Sequence, residues 1–154
     1  MHIAFLTPEY PHKDLKGSAG LGSSIKNLAA SLIQAGERVT VFVYSQAEDR
    51  EFEDQGIKIH SIAKRKYKLA GWYLHRKFLQ RYINKFILLE GINVLEAPDW
   101  TGITALMRFK CPLVIRLHGT DAYFCHLEQR TQKTKNRWFE QLALKNADHI
   151  LAVS

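Results

Sequence analysis

A hydrophobic strand, a glycine-punctuated loop, an amphipathic helix and a second β-branched strand follow one another within the first 45 residues. The strand is Ile3-Ala4-Phe5-Leu6 and the loop is Lys16-Gly17-Ser18-Ala19-Gly20-Leu21-Gly22-Ser23-Ser24. A helix is expected over residues 24–35, and Arg38-Val39-Thr40-Val41-Phe42-Val43 follows. Such a unit restricts the chain to the α/β class, because the helix is the crossover that lets two strands lie parallel. It also leaves bare backbone amides at the start of a helix, beside the carboxyl end of a strand. Free N–H donors and a partial positive charge suit that place to phosphates or sugars.

The alternation continues. A short half-buried strand is expected over residues 56–62, and a long helix over Gly71–Glu90 with Leu74, Phe78, Leu79, Tyr82, Ile83, Phe86 and Ile87 at helical spacing. Gly91 supplies its stop signal. Further strands are expected over residues 93–96, 112–118 and 149–153, with helices over 100–109 and 133–146. Strands separated by helices predict a Rossmann-like single domain, with a doubly wound, mostly parallel sheet covered on both faces. Ser154 falls at the carboxyl end of a strand, where α/β proteins bind ligands. Residues 1–154 are therefore expected to form the amino-terminal half of a longer protein.

No apolar run approaches the roughly 18–20 residues needed to span a bilayer, and the immediate entry into a strand predicts no signal peptide. Cys111 and Cys125 lie far apart without metal-ligand spacing, so reduced thiols in a cytoplasmic protein are expected. The net charge of +7 is local. Nine lysines and arginines and no acidic residue lie between Gly56 and Leu89. A concentrated patch is better evidence for a partner than a high isoelectric point.

Two phosphate motifs nearly fit the glycine loop and both fail. Gly17 and Gly22 have the P-loop spacing, but Ser23-Ser24 stands where Lys-Ser/Thr is required. The dinucleotide fingerprint G-x-G-x-x-G is absent. A plain turn with a serine cap at Ser23 or Ser24 is the simpler alternative, although three close glycines exceed what a cap needs. At the end of a later strand, Leu117-His118-Gly119-Thr120-Asp121 aims an imidazole above the sheet, where it can donate to a hydroxyl. At the end of the neighbouring strand, Glu96-Ala97-Pro98-Asp99-Trp100 offers two carboxylates and an indole, suited to hydroxyl contacts and ring stacking. Taken alone, His118 is equally a turn residue and Asp99 equally a helix cap. Together the three features line one crevice. No Ser-His-Asp or Cys-His pairing, metal cluster or D-x-D pair accompanies them.

At these residues the sequence resembles the amino-terminal domain of a GT-B glycosyltransferase, most similar to family 4, the retaining glycosyltransferases. Thr7-Pro8-Glu9-Tyr10-Pro11 with Ala19-Gly20-Leu21-Gly22 resembles the family's first strand and glycine loop. Leu28-Ala29-Ala30-Ser31-Leu32 through Ala35-Gly36-Glu37-Arg38-Val39-Thr40-Val41 resembles its helix-to-strand passage. The Glu96–Trp100 and His118–Asp121 blocks, and residues 147–154, resemble later ones. The resemblance implies two Rossmann-like domains facing a cleft, with this chain as the acceptor side and an absent carboxyl-terminal domain gripping most of the nucleotide sugar. It implies amides of Gly20 and Gly22 near a donor diphosphate or acceptor phosphate, and His118 beside the transferred sugar. Glu96, Asp99, Trp100 and Asp121 would contact acceptor or sugar. The reaction implied is transfer with retention to a glycan or lipid-linked acceptor, in bacterial surface-glycan, lipopolysaccharide or glycolipid synthesis, with no cofactor and no metal. Ala19 stands where many members carry the first of two glycines, and the isolated half is expected to transfer little or no sugar. The alternative from another class is a non-catalytic α/β module holding a phosphorylated ligand.

The stretch from Lys64 to Lys85 interleaves aromatics with cations. An apolar stripe packing on the sheet accounts for Phe78, Ile83 and Phe86. It does not account for Lys64, Arg65, Lys66 and Lys68 with Trp72 just beyond and Arg76 and Lys77 on the helix. A basic cluster with interfacial aromatics suits the anionic, cytoplasmic face of a membrane or an acidic acceptor. No nucleic-acid recognition fold is apparent.

Overall fold

The computed structural model describes residues 1–119 and 121–152, leaving the side chains of Asp121, Ala122 and Phe124 outside the description. Seven strands form one sheet: β1 (His2–Thr7), β2 (Arg38–Gln46), β3 (Arg50–Asp54), β4 (Ile57–Ala63), β5 (Val94–Pro98), β6 (Leu113–Leu117) and β7 (His149–Ala152). Their order is β3-β4-β2-β1-β5-β6-β7. All pairs are parallel except β3 with β4. The helices are α1 (Gly20–Gln34), α2 (Gly71–Glu90), α3 (Asp121–Leu127) and α4 (Thr134–Asn146), with one 3-10 turn over Trp100–Gly102. The doubly wound sheet predicted from the alternation is present.

Strand β1 is buried throughout, as a central strand covered on both faces must be. Its alternate side chains feed two cores. Ile3 and Phe5 join Val39, Val41, Val43, Ile57 and Ile59 beneath Ile25 and Ala29 of α1. Ala4 and Leu6 join Phe42 and Ile62 against Leu79, Ile83, Phe86 and Ile87 of α2. The long helix has its predicted bounds, and Gly91 ends it in a left-handed conformation at φ 64°. Leu74, expected in the apolar stripe, is exposed instead.

Three expectations are corrected. Helix α1 begins at Gly20, four residues before the predicted start, so Gly20 and Gly22 lie in its first turn. Ser23 and Ser24 are therefore inside the helix, and its N-cap residue, Ala19, has no side chain able to cap it. The span 100–109 forms a single 3-10 turn followed by irregular backbone, because Thr101 and Leu106 both take positive φ. Strand β3 and helix α3 were not expected. A two-residue turn at Gln55 and Gly56, with φ of 54° and 82°, folds β3 back on β4 as a tight hairpin.

The direction in which successive strands are added reverses beside β1, which pairs with β2 on one side and β5 on the other. Open α/β sheets bind ligands outside the carboxyl ends of strands at such a switch. At the opposite, amino end lies a buried polar network. His2 Nε2 meets Thr40 Oγ1 at 2.9 Å, and Lys58 meets Glu90 at 2.5 Å. His60, fully buried among Phe42, Tyr82 and Phe86, contacts the Tyr82 hydroxyl at 3.2 Å.

Candidate functional site

A cavity of about 550 Å³ opens at the carboxyl ends of β1, β5 and β6. Glu9 after β1, Gly20 and Leu21 at the start of α1, Trp100 after β5 and His118 after β6 line it, joined by Arg130. The structure thus brings together Gly20, Trp100 and His118 from three separate stretches of sequence.

The start of α1 is held against β1 by a close backbone approach. A Cβ built on Gly22 would lie 3.1 Å from the Glu9 carbonyl oxygen and 2.1 Å from Ser18 Oγ. The Gly22 amide donates to Glu9 Oε1 at 2.8 Å, so it is already spent and does not wait for a ligand. Gly20 differs: a Cβ there meets nothing within 4 Å. Buried Gln46 fixes the preceding loop by accepting from the Lys16 amide at 3.0 Å and donating to the Pro8 carbonyl at 3.1 Å. Buried Tyr10 anchors the same segment through its hydroxyl, 2.9 Å from Asp54.

His118 sits half-buried with its backbone clamped. Its amide donates to Asp99 Oδ1 at 3.1 Å, and the Gly119 amide donates to Oδ2 at 3.3 Å. Asp99 is only 2% exposed and makes no helix cap, so its carboxylate ties β5 to the end of β6 and does not face the cavity. Burial pushes the His118 imidazole below its ordinary 6.5; Asp99 opposes that shift and Arg116 reinforces it. The ring is neutral at pH 7, able to donate from one nitrogen and accept at the other.

Glu96, expected to contact a sugar, is paired within the protein. Arg116 grips it bidentately, with Nε and Nη2 at 2.6 and 2.8 Å, and neither residue lines the cavity. Parallel pairing of β5 and β6 places Pro98 beside Arg116, which brings that guanidinium within reach of Glu96. Thr120 and the side chain of Asp121 lie outside the described residues. Among those described, no group of three or more histidines, cysteines or acidic residues is placed to hold a metal ion.

The basic aromatic segment divides in two. Lys64, Lys66 and Lys68 are exposed, with Trp72 beside them at the start of α2. Arg65 pairs with Asp49. Arg76 leaves the patch altogether: it is 8% exposed, donates to the Trp72 and Gly102 carbonyls, and lies 4.2 Å over the Phe139 ring. Lys77 turns inward to the Leu106 carbonyl at 2.6 Å. Helix α4 contributes an unforeseen cation, Lys135, 5.2 Å over the Trp72 ring. Glu9 and Arg130, missed as site residues, had one legible signal between them: Glu9 is a carboxylate two positions beyond a strand's carboxyl end.

A mostly parallel sheet with its cavity at the switch point defines a Rossmann-like domain. The chain belongs to Glycosyltransferase Family 4, whose family model matches residues 18–154. Among solved structures it is similar to the catalytic domain of starch synthase IV from Arabidopsis thaliana, solved with ADP and acarbose bound. That likeness has a TM-score of 0.51 at 12% identity and covers 77% of this chain. The chain spans 34% of the length of that protein. The likeness places the sheet in one half of a GT-B fold. No curated protein matches the chain.

Proposed function

We propose that this chain is the acceptor-side half of a retaining glycosyltransferase that moves a sugar from a nucleotide-sugar donor to a glycan or lipid-linked acceptor. The observation that carries this reading is the convergence of Gly20, Trp100 and His118 on one cavity at the switch point. Family membership supports it, as does a fold neighbour solved with ADP and acarbose. In this reading a carboxyl-terminal domain beyond residue 154 supplies the second wall and grips the nucleotide. The bare amides of Gly20 and Leu21 face the donor diphosphate, and neutral His118 hydrogen-bonds a hydroxyl of the transferred sugar. Retention proceeds through an oxocarbenium-like transition state. Fixed amide dipoles and basic side chains stabilise the departing diphosphate as charge develops on it, with no call for a metal.

Lys64, Lys66, Lys68 and Lys135 around Trp72 dock the enzyme on the cytoplasmic face of an anionic membrane. Each cation near the surface contributes about 1 kcal/mol. No helix among the described residues is long and apolar enough to cross a bilayer. The deciding experiment is a donor screen on the full-length protein, following nucleotide diphosphate release. His118→Ala is expected to lower turnover about a hundredfold or more while leaving the fold intact. Absence of release with every common nucleotide sugar would reject the reading. Turnover by residues 1–154 alone would reject the division of labour.

A further inference from the structure

Glu9 occupies a position that an α/β crevice commonly leaves to a ligand. It follows β1, lines the cavity, and takes the Gly22 amide in the first turn of α1. A carboxylate there offsets the positive end of the helix and removes one of its free donors. Among the described residues no donor reaches the second oxygen, Oε2. Among the described residues the formal charge lining the cavity is negative: Glu9 and Glu128 against Arg130, whose Nε already meets Glu128 at 2.5 Å. Trp100 is 46% exposed on the wall formed by the end of β5.

These features disfavour a phosphate beside Glu9 and favour hydroxyls. A carboxylate only accepts hydrogen bonds, so it reads O–H donors. An exposed indole offers the flat apolar surface on which a sugar ring stacks. A phosphate in direct contact with Glu9 Oε2 would meet like charge with no donor between the two. We propose that Glu9 is the hydroxyl-reading residue of the acceptor subsite, and that the acceptor unit docking there is an uncharged sugar, not a phosphorylated or otherwise anionic one. This assignment rests on the glycosyl-transfer reading for the word acceptor, and on the cavity alone for the neutral sugar. It leaves the Gly20 and Leu21 amides as the donors open to the nucleotide sugar.

The test uses the full-length protein and Glu9→Gln, whose amide oxygen keeps the Gly22 bond and hence the fold. Probes are methyl glycosides of glucose, galactose, mannose and N-acetylglucosamine, each beside its 6-phosphate, with binding read by ligand-detected NMR. The wild type is expected to bind at least one neutral glycoside more tightly than its phosphate. Glu9→Gln is expected to weaken that glycoside about tenfold, the effect of losing a hydrogen bond to a charged group. Nucleoside diphosphate affinity and thermal midpoint are expected to stay unchanged. Equal glycoside binding by wild type and variant, tighter binding of the phosphates by wild type, or no glycoside binding at all would each overturn the assignment. Glu9-dependent sugar binding without diphosphate release from any donor would instead sink the transferase reading while keeping Glu9 as a sugar-reading group.

Discussion

Burial suppresses the basicity of two histidines, His60 in the middle of the sheet and His118 just past its carboxyl edge, yet their surroundings are opposite. His60, in the middle of β4 and level with Phe42, has no exposed surface, and three aromatic rings close around it. Its neighbours Glu51, Lys58 and Glu90 belong to one network with Tyr82, so the ring is part of the packing. At the carboxyl end His118 is fixed, among the described residues, through its backbone by Asp99, while its ring borders an open cavity of about 550 Å³. The same residue type is thus a core element in one place and the wall of an open cavity in the other. What separates them is whether the imidazole's surroundings are already filled.

The largest effect expected is at Gly102, where the carboxyl-end wall is assembled. A Cβ there would lie 2.3 Å from the Phe139 carbonyl group and 2.6 Å from the Glu140 nitrogen, at a φ of 54°. Gly102→Ala is expected to lose more than about 3 kcal/mol in denaturant unfolding, because backbone cannot yield as a side chain does. A loss below about 1 kcal/mol would show that α4 is not seated as described. Next comes the direct comparison. His60→Ala opens a cavity among aromatics and is expected to cost about 3 kcal/mol. His118→Ala is expected to cost under about 1 kcal/mol, its effect falling on turnover. Equal destabilisation of the two variants would erase the distinction between the two histidines.

Acid provides the third test. Burial lowers the pKa of His2, His60, His75 and His118 from the ordinary 6.5. The folded state therefore binds fewer protons than the unfolded one below that value, so stability is complete above about pH 6.5 and is lost as pH falls beneath it. Thermal midpoints between pH 7.5 and 5 are expected to decline, and His60→Leu is expected to flatten that decline. A flat profile in the parent protein would contradict the burial of these rings. The smallest effect separates two glycines on one helical turn. Gly20→Ala is expected to leave stability within about 0.5 kcal/mol, and Gly22→Ala to cost about 1–2 kcal/mol through its contact with Glu9. Reversed costs would mean that α1 begins elsewhere.

Much of the fold was legible because it rests on local periodicity. Helix α2 combines an apolar stripe with a stop glycine, and both signals survive in the folded chain. The start of α1 was not legible, since glycine reads as loop. In a first turn, however, the amides lack intrahelical partners anyway, and Gly22 is needed for close packing. Strand β3 escaped notice because Arg-Glu-Phe-Glu-Asp has little apolar pattern, and an edge strand needs only Phe52 half-buried. In the site, Gly20, Trp100 and His118 were legible from their places at strand ends. The occupation of Glu96 by Arg116 was not, because the two are twenty residues apart and meet only through strand pairing. Arg76 misled for a similar reason. A lysine- and arginine-rich run reads as solvated, whereas Phe139, distant in sequence, supplies a ring that holds this one guanidinium inside.

The hairpin at β3 bears on how the molecule behaves in company. It is the outermost strand on its side of the sheet, and its Arg50, Glu51 and Glu53 are exposed around a single half-buried phenylalanine. Another strand adding itself there would have to desolvate charges of both signs to gain a few backbone hydrogen bonds. The Gln55-Gly56 turn also twists the ribbon away from the flat geometry that strand stacking prefers. The rim least legible in the sequence is thus the one least suited to accept a strand from another copy of the chain.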